Sequence, residues 1–170
     1  MSSEEKRAES RSEAGATTRE TTWLTADELE TWHELSLLVA KLPAALGAQL
    51  HRDADLSFME YYVLAALSDQ PDHALRMSRL ALIANSELSR LSHLVRRLEG
   101  RGLLRREPDA LDGRFTNAIL TVEGLDYLVE VAPSHVATVR ELVFDGLSGT
   151  EQHALRKAVR VINERLGGDC

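Results

Sequence analysis

Residues 76–106 constrain this chain more than any other stretch. A short run from Ser78 through Leu80, Ala81, Leu82, Ile83 and Ala84 is interrupted at Asn85-Ser86. Either of those side chains can cap the helix that follows. From Ser86 onward Leu88, Leu91, Leu94, Val95 and Leu98 recur at helical spacing, until Gly100 and Gly102 stop the run. Ala81 and Ala84 are small enough to let another helix cross closely. Two helices joined by a tight turn are therefore predicted. At 100° per residue the second carries Ser86, Ser89, Arg90, His93 and Arg97 opposite its apolar stripe, with Arg96 at the margin.

The flanking sequence completes a pattern. Leu103–Glu107 and Arg114–Leu120 read as two short strands joined through Pro108-Asp109-Ala110-Leu111-Asp112-Gly113, where Asp-Gly is a strong turn signal. Upstream, the capping box Thr25-Ala26-Asp27-Glu28 opens a helix that Pro43 is expected to kink or divide near residue 42, and Ser57-Phe58-Met59-Glu60 opens another. Ser68 to His73 reads as a loop. Downstream, Thr121 caps a helix running to about Gly146 with a bend at Pro133, and Ser148-Gly149-Thr150-Glu151 opens the last.

The first 21 residues contain no Leu, Ile, Val, Phe, Trp or Tyr. Such a segment cannot bury enough apolar area to offset its ordering entropy, so residues 1–22 are expected to be a disordered tail. No apolar run is long enough for a signal peptide core or a membrane span, which points to a soluble, cytoplasmic protein. The single cysteine, Cys170, can form no internal disulfide, and the six histidines show no paired metal-ligand spacing. No metal or other cofactor is expected.

The formal net charge of −7 argues against a globally basic nucleic-acid binder. The average conceals an asymmetry. From Arg76 to Arg114 nine arginines face five acids, a local +4 that leaves −11 on the rest. A basic module on an acidic body can bind DNA while the body limits nonspecific association. The polar stripe of the second helix matches the width of a major groove. There Arg can donate two hydrogen bonds to guanine, and Ser and His can meet bases or phosphates. Arg90 is the leading base reader, with Ser89 and His93 beside it. Arg76, Arg79, Arg105 and Arg106 are expected to meet phosphate or solvent.

Four elements in order give a more specific comparison: Leu80-Ala81, the run Arg-Leu-Glu-Gly-Arg-Gly-Leu-Leu-Arg-Arg at 97–106, Asp112-Gly113-Arg114, and Leu-Thr-Val-Glu-Gly at 120–124. Over roughly residues 24–166 the chain resembles the MarR family of winged-helix transcription regulators. The resemblance implies a mainly α fold, with a winged helix-turn-helix, a small β-hairpin wing, and N- and C-terminal helices that form a dimerisation domain. It divides the chain into the tail 1–22, the N-terminal part of the dimerisation domain at 23–54, the DNA-binding domain at 55–121, and the C-terminal part at 122–170. It further implies a homodimer controlling transcription, usually by repressing nearby genes. Arg114 would enter the minor groove, where a narrow A·T-rich tract attracts a guanidinium, and Asp112 would orient it. Two reading heads would require a pseudo-palindromic operator with half-sites about 10 base pairs apart.

The resemblance also implies a small aromatic or phenolic ligand, bound between the dimerisation and DNA-binding parts. Trp32, His33, Tyr61 and Tyr62 fall on segments that the family places near its pocket, and an aromatic acid could stack there and meet Arg96 or His33. Tyr62 stands where urate-responsive relatives carry an Asp, which speaks against urate. Peroxide sensing needs a cysteine near the N-terminus, which is missing here. Catalysis is not expected. Ser89 and His93 are four apart on one helix, but no orienting group or oxyanion donor accompanies them. The rival reading is a nucleoid-like or protein-interaction winged helix without operator specificity.

Overall fold

A computed structural model describes residues 21–167. The expectation for residues 1–22 falls almost wholly outside them, as does Cys170. The chain separates into two compact units between Leu37 and Leu38.

Helix α1 spans Ala26–Ala54. Its start is the expected capping box: Thr25 Oγ1 accepts from the Glu28 N–H at 3.3 Å, and the Glu28 carboxylate accepts from the Thr25 N–H at 2.8 Å. Pro43 does not divide the helix. Proline removes one backbone donor, and the turns on either side keep theirs, so the helix runs through all 29 residues. In the first unit Trp23, Leu24, Leu29, Trp32 and Leu37 are all exposed.

In the second unit α2 (Phe58–Ser68) begins at the Ser57–Glu60 capping box. A strand that the sequence reading missed, β1 (Ala74–Arg76), follows in the stretch between the expected loop, 68–73, and the helix expected from about Ser78. Three residues are too few to display alternation. Then come α3 (Met77–Ile83) and α4 (Leu88–Gly100), joined through Asn85, whose φ of 43° makes the tight turn. Strands β2 (Leu104–Pro108) and β3 (Thr116–Leu120) form the hairpin. The sheet order is β1-β3-β2, all antiparallel, with Arg76 opposite Asn117 and Leu104 opposite Leu120. The hairpin therefore supplies the central strand, β3, and one edge strand, β2, of a three-stranded sheet.

Helix α5 (Val122–Val139) also continues through its proline, Pro133, and passes into a π-helical turn at Arg140–Phe144. Helix α6 (Gly149–Arg165) starts at the expected Ser148–Glu151 capping box. Among the described residues no helix is long and apolar enough to cross a membrane.

The core lies where α2, α3 and α4 meet the sheet. Leu56, Val63, Leu64, Leu67, Leu80, Val95, Leu98 and Ala118 are fully buried, and each Leu or Val so placed contributes about 1.5–3 kcal/mol. Leu50 brings the end of α1 into this cluster, and Leu128 and Val131 bring α5. A polar joint reinforces α1 against α5. Gln49 donates to Asp53 and to Ser134, and its carbonyl oxygen lies 3.0 Å from Nδ1 of the buried His135.

The root of the wing is fastened to α5 by the sequence Leu-Thr-Val-Glu-Gly. Thr121 caps α5 by accepting from the Gly124 N–H, and its hydroxyl donates to the Gly102 carbonyl at 2.7 Å. Gly124 packs so closely that a Cβ there would sit 1.9 Å from the Leu103 carbonyl oxygen. Only glycine fits.

Candidate nucleic-acid interface

Helix α4 is two-faced, as its spacing dictates. Leu91, Val95 and Leu98 are buried, while Ser89, Arg90, His93, Arg96 and Arg97 are exposed. Two details differ from the sequence reading. Ser86 is not the cap: the helix starts at Leu88 with Glu87 in the capping position and no side-chain bond, and the Ser86 hydroxyl donates to the Glu87 carbonyl instead. Ser86 thus lies half-buried in the turn rather than on the helical face. Leu88, assigned to the apolar stripe, is 51% exposed and lines a groove with Ser92 and Phe115.

The exposed arginines are in different states. Arg97 is gripped by Glu60 on α2, a carboxylate that is 1% exposed. Burial would raise the Glu60 pKa, but the hydrogen bonds from Arg97 and Ser57 outweigh it and hold the group below the ordinary carboxylate range. Arg106 is forked onto Glu99 at 2.9 and 2.6 Å, and Arg105 pairs with Glu107. Arg96 approaches His93 Nδ1 at 3.4 Å. Among the described residues Arg79 and Arg90 belong to none of the ion pairs that hold Arg76, Arg97, Arg106 and Arg114. On α4, Arg90 and Arg96 are thereby the arginines outside these ion pairs, and Arg90 lies beside Ser89 on the polar face.

At the wing tip Asp112 holds Arg114 as a fork. The Arg114 Nε donates to Oδ1 at 2.9 Å, a terminal nitrogen donates to Oδ2 at 2.6 Å, and the Arg114 backbone N–H also donates to Oδ1. The arrangement lowers the carboxylate's pKa and raises the guanidinium's. Arg114 remains 85% exposed, so the fork directs the charge without covering it. Between α4 and the wing lies a groove of about 240 Å³ lined by Leu88, Ser92, Arg106, Arg114, Phe115 and Thr116. Ser92 and Thr116 escaped the sequence reading because they belong to neither periodic face alone. They come together only when the wing folds beside α4.

The residues suggested for a ligand fall in both units. Trp32 and His33 are exposed on α1 in the first unit. Tyr61 packs against the His135 ring at 4.2 Å, whereas Tyr62 turns toward Phe58, with ring centroids 6.4 Å apart. Tyr62 lines a cavity of about 410 Å³ with Leu75, Arg79 and Ile83, and neither Tyr61 nor Arg96 reaches it.

The family model described as MarR family matches residues 54–114, from the end of α1 to Arg114. The transcriptional regulator HosA of Escherichia coli O111:H- is 36% identical over 112 residues, covering 65% of this chain and 79% of its own length. The chain belongs to the MarR family. Two solved MarR-family regulators from Streptomyces coelicolor extend the match to the whole fold. Sco3205, determined in complex with DNA, is 40% identical with a TM-score of 0.83, covering 89% of this chain and 94% of its own. AbsC is 36% identical with a TM-score of 0.81, covering 88% and 100%. This MarR-family protein is thus a transcriptional regulator, in a family of regulators rather than enzymes, and its mainly helical fold with a three-stranded sheet is the family's winged helix.

Proposed function

We propose that this regulator is a cytoplasmic homodimer that binds a pseudo-palindromic operator and represses nearby genes until a small aromatic or phenolic ligand releases it. The observation that carries the DNA-binding part is the pairing of two cationic elements in one lobe: the exposed face of α4 with Arg90 available, and Arg114 held out at the wing tip by Asp112. A helix of this kind suits the major groove, and a directed guanidinium suits the minor groove next to it. Ser86, Ser89 and His93 would assist Arg90, and Arg79 would meet phosphate.

Dimerisation is supported by apolar surface that a monomer leaves in water. Helix α6 has no buried residue and exposes Leu155, Val159 and Ile162, the turn before it exposes Leu142 and Phe144, and the first unit exposes Trp23, Leu24 and Trp32. Exposed apolar surface on this scale marks an association surface. Sedimentation should give a dimer at micromolar concentration; a monomer would contradict the reading.

Ligand release is supported by a cavity of about 570 Å³ lined by His51, Phe58, Glu60, Arg97 and Arg101. An aromatic acid could stack on Phe58 and compete with Glu60 for Arg97, which belongs to α4. The deciding experiment is selection of duplexes from a random library. A palindromic consensus protected in footprinting supports operator recognition. Recovery of unrelated sequences with equal affinity favours a nucleoid-like protein instead. Titrating the selected complex with phenolic acids then tests release.

A further inference from the structure

Arg76, expected to meet phosphate or solvent, is partly exposed and is paired within the protein. It sits at the end of β1, and its Nε donates to Asp109 Oδ2 at 3.0 Å across the base of the wing tip. Its guanidinium also lies over the Phe115 ring, 4.7 Å from the centroid. Asp109 is 11% exposed and makes more bonds than an ion pair requires. Its Oδ1 accepts from the N–H groups of Leu111 and Asp112 at 3.0 and 3.1 Å, and its Oδ2 also accepts from Asn117 Nδ2 at 3.3 Å. Its own N–H donates to the Phe115 carbonyl, and the Phe115 N–H donates to the Asp112 carbonyl. The residue whose backbone Asp109 fixes is Asp112, and Asp112 is the residue that forks Arg114. Two carboxylates thus act in series, from Arg76 to Asp109 to the Asp112 backbone, and from the Asp112 carboxylate to Arg114.

We propose that Asp109 is a positioning residue for DNA binding, which touches no DNA itself and fixes the direction of Arg114 by anchoring the wing tip to Arg76. The proposal rests on the reading that Arg114 contacts DNA. Its sign opposes simple electrostatics. Removing a negative charge beside a phosphate-facing surface should by charge alone tighten binding. Removing Asp109 should instead loosen it, because the backbone that aims Arg114 loses two hydrogen bonds and its tether.

The test is a double-mutant cycle on the full chain, using the duplex selected from a random library at fixed salt. Asp109→Ala should weaken binding by on the order of tenfold, and should cause no further loss in an Arg114→Ala background. Unchanged or tighter binding by Asp109→Ala overturns the proposal, as does a full additional loss in the Arg114→Ala background. If Asp109→Ala does not fold, Asp109→Asn enters the same cycle. Hydrogen exchange of the free protein supplies a readout without DNA: the amides of Leu111 and Asp112 should exchange faster in the variant, and unchanged protection overturns the anchoring. Should Arg114→Ala itself leave affinity unchanged, the DNA-contact reading fails, and amide exchange still judges the anchoring separately.

Discussion

Arg97 and Glu60, 37 positions apart, meet as a two-point fork: the Arg97 Nε lies 2.5 Å from Glu60 Oε1, and a terminal nitrogen lies 2.5 Å from Oε2. The same carboxylate closes the capping box of α2 by accepting from the Ser57 N–H and hydroxyl. One buried charge therefore locks the last turn of α4 to the first turn of α2. Arg97 serves as a strut for the recognition helix before it can serve as a DNA contact.

Replacing Glu60 by Gln should destabilise the protein by about 1–3 kcal/mol at neutral pH, since a bond to a charged group is weakened inside a buried setting. The folded carboxyl sits below its ordinary value, so its contribution is complete above about pH 4.3, the unfolded value, and disappears as pH falls through the folded one. Urea unfolding of wild type and Glu60→Gln should accordingly converge below that pH. A constant gap down to strongly acidic conditions would contradict the assignment.

Gly124 offers a test of opposite sign to helix propensity. Alanine in an α-helix normally stabilises by about 1 kcal/mol relative to glycine. Here its Cβ would press into the Leu103 carbonyl, 1.9 Å away, with the Leu120 side chain also in the way. Gly124→Ala should lower Tm by several degrees, the effect of about 1–3 kcal/mol of overpacking. A rise in Tm would show that α5 can move off the Leu103 carbonyl without cost.

For the interface itself, Arg114→Ala should weaken binding to the selected duplex by at least roughly tenfold at fixed salt with Tm unchanged, because the side chain is exposed and its pair adds little stability. Arg90→Ala should lose discrimination between selected and random duplex. Equal weakening on both would make Arg90 a phosphate contact.

His135 provides a second pH signature. Burial holds its imidazole below the ordinary value, so the neutral form is the one that folds. The unfolded state then binds more protons below about pH 6.5, and stability should fall as pH drops through that value. Melting followed between neutral and mildly acidic pH should show a shallower decline for His135→Gln than for wild type. Parallel declines would assign the effect to other groups.

Much of this molecule was legible because its chemistry is local. Thr25 with Glu28, Ser57 with Glu60 and Ser148 with Glu151 lie three residues apart, and Asp112 with Arg114 two, so covalent proximity alone brings donor to acceptor. The stripe Leu91, Val95 and Leu98 followed from helical periodicity in the same way. The sequence by itself thus determined the helices, the hairpin and the direction of the cationic face. Tertiary structure alone decided which arginines are engaged and which remain available. Glu60 finds Arg97 across 37 positions, Asp109 finds Arg76 across 33, and His135 finds Gln49 across 86. None of these pairs shares a period or a turn. Each forms because packing of the apolar core brings two elements together and leaves a polar group that must find its partner there.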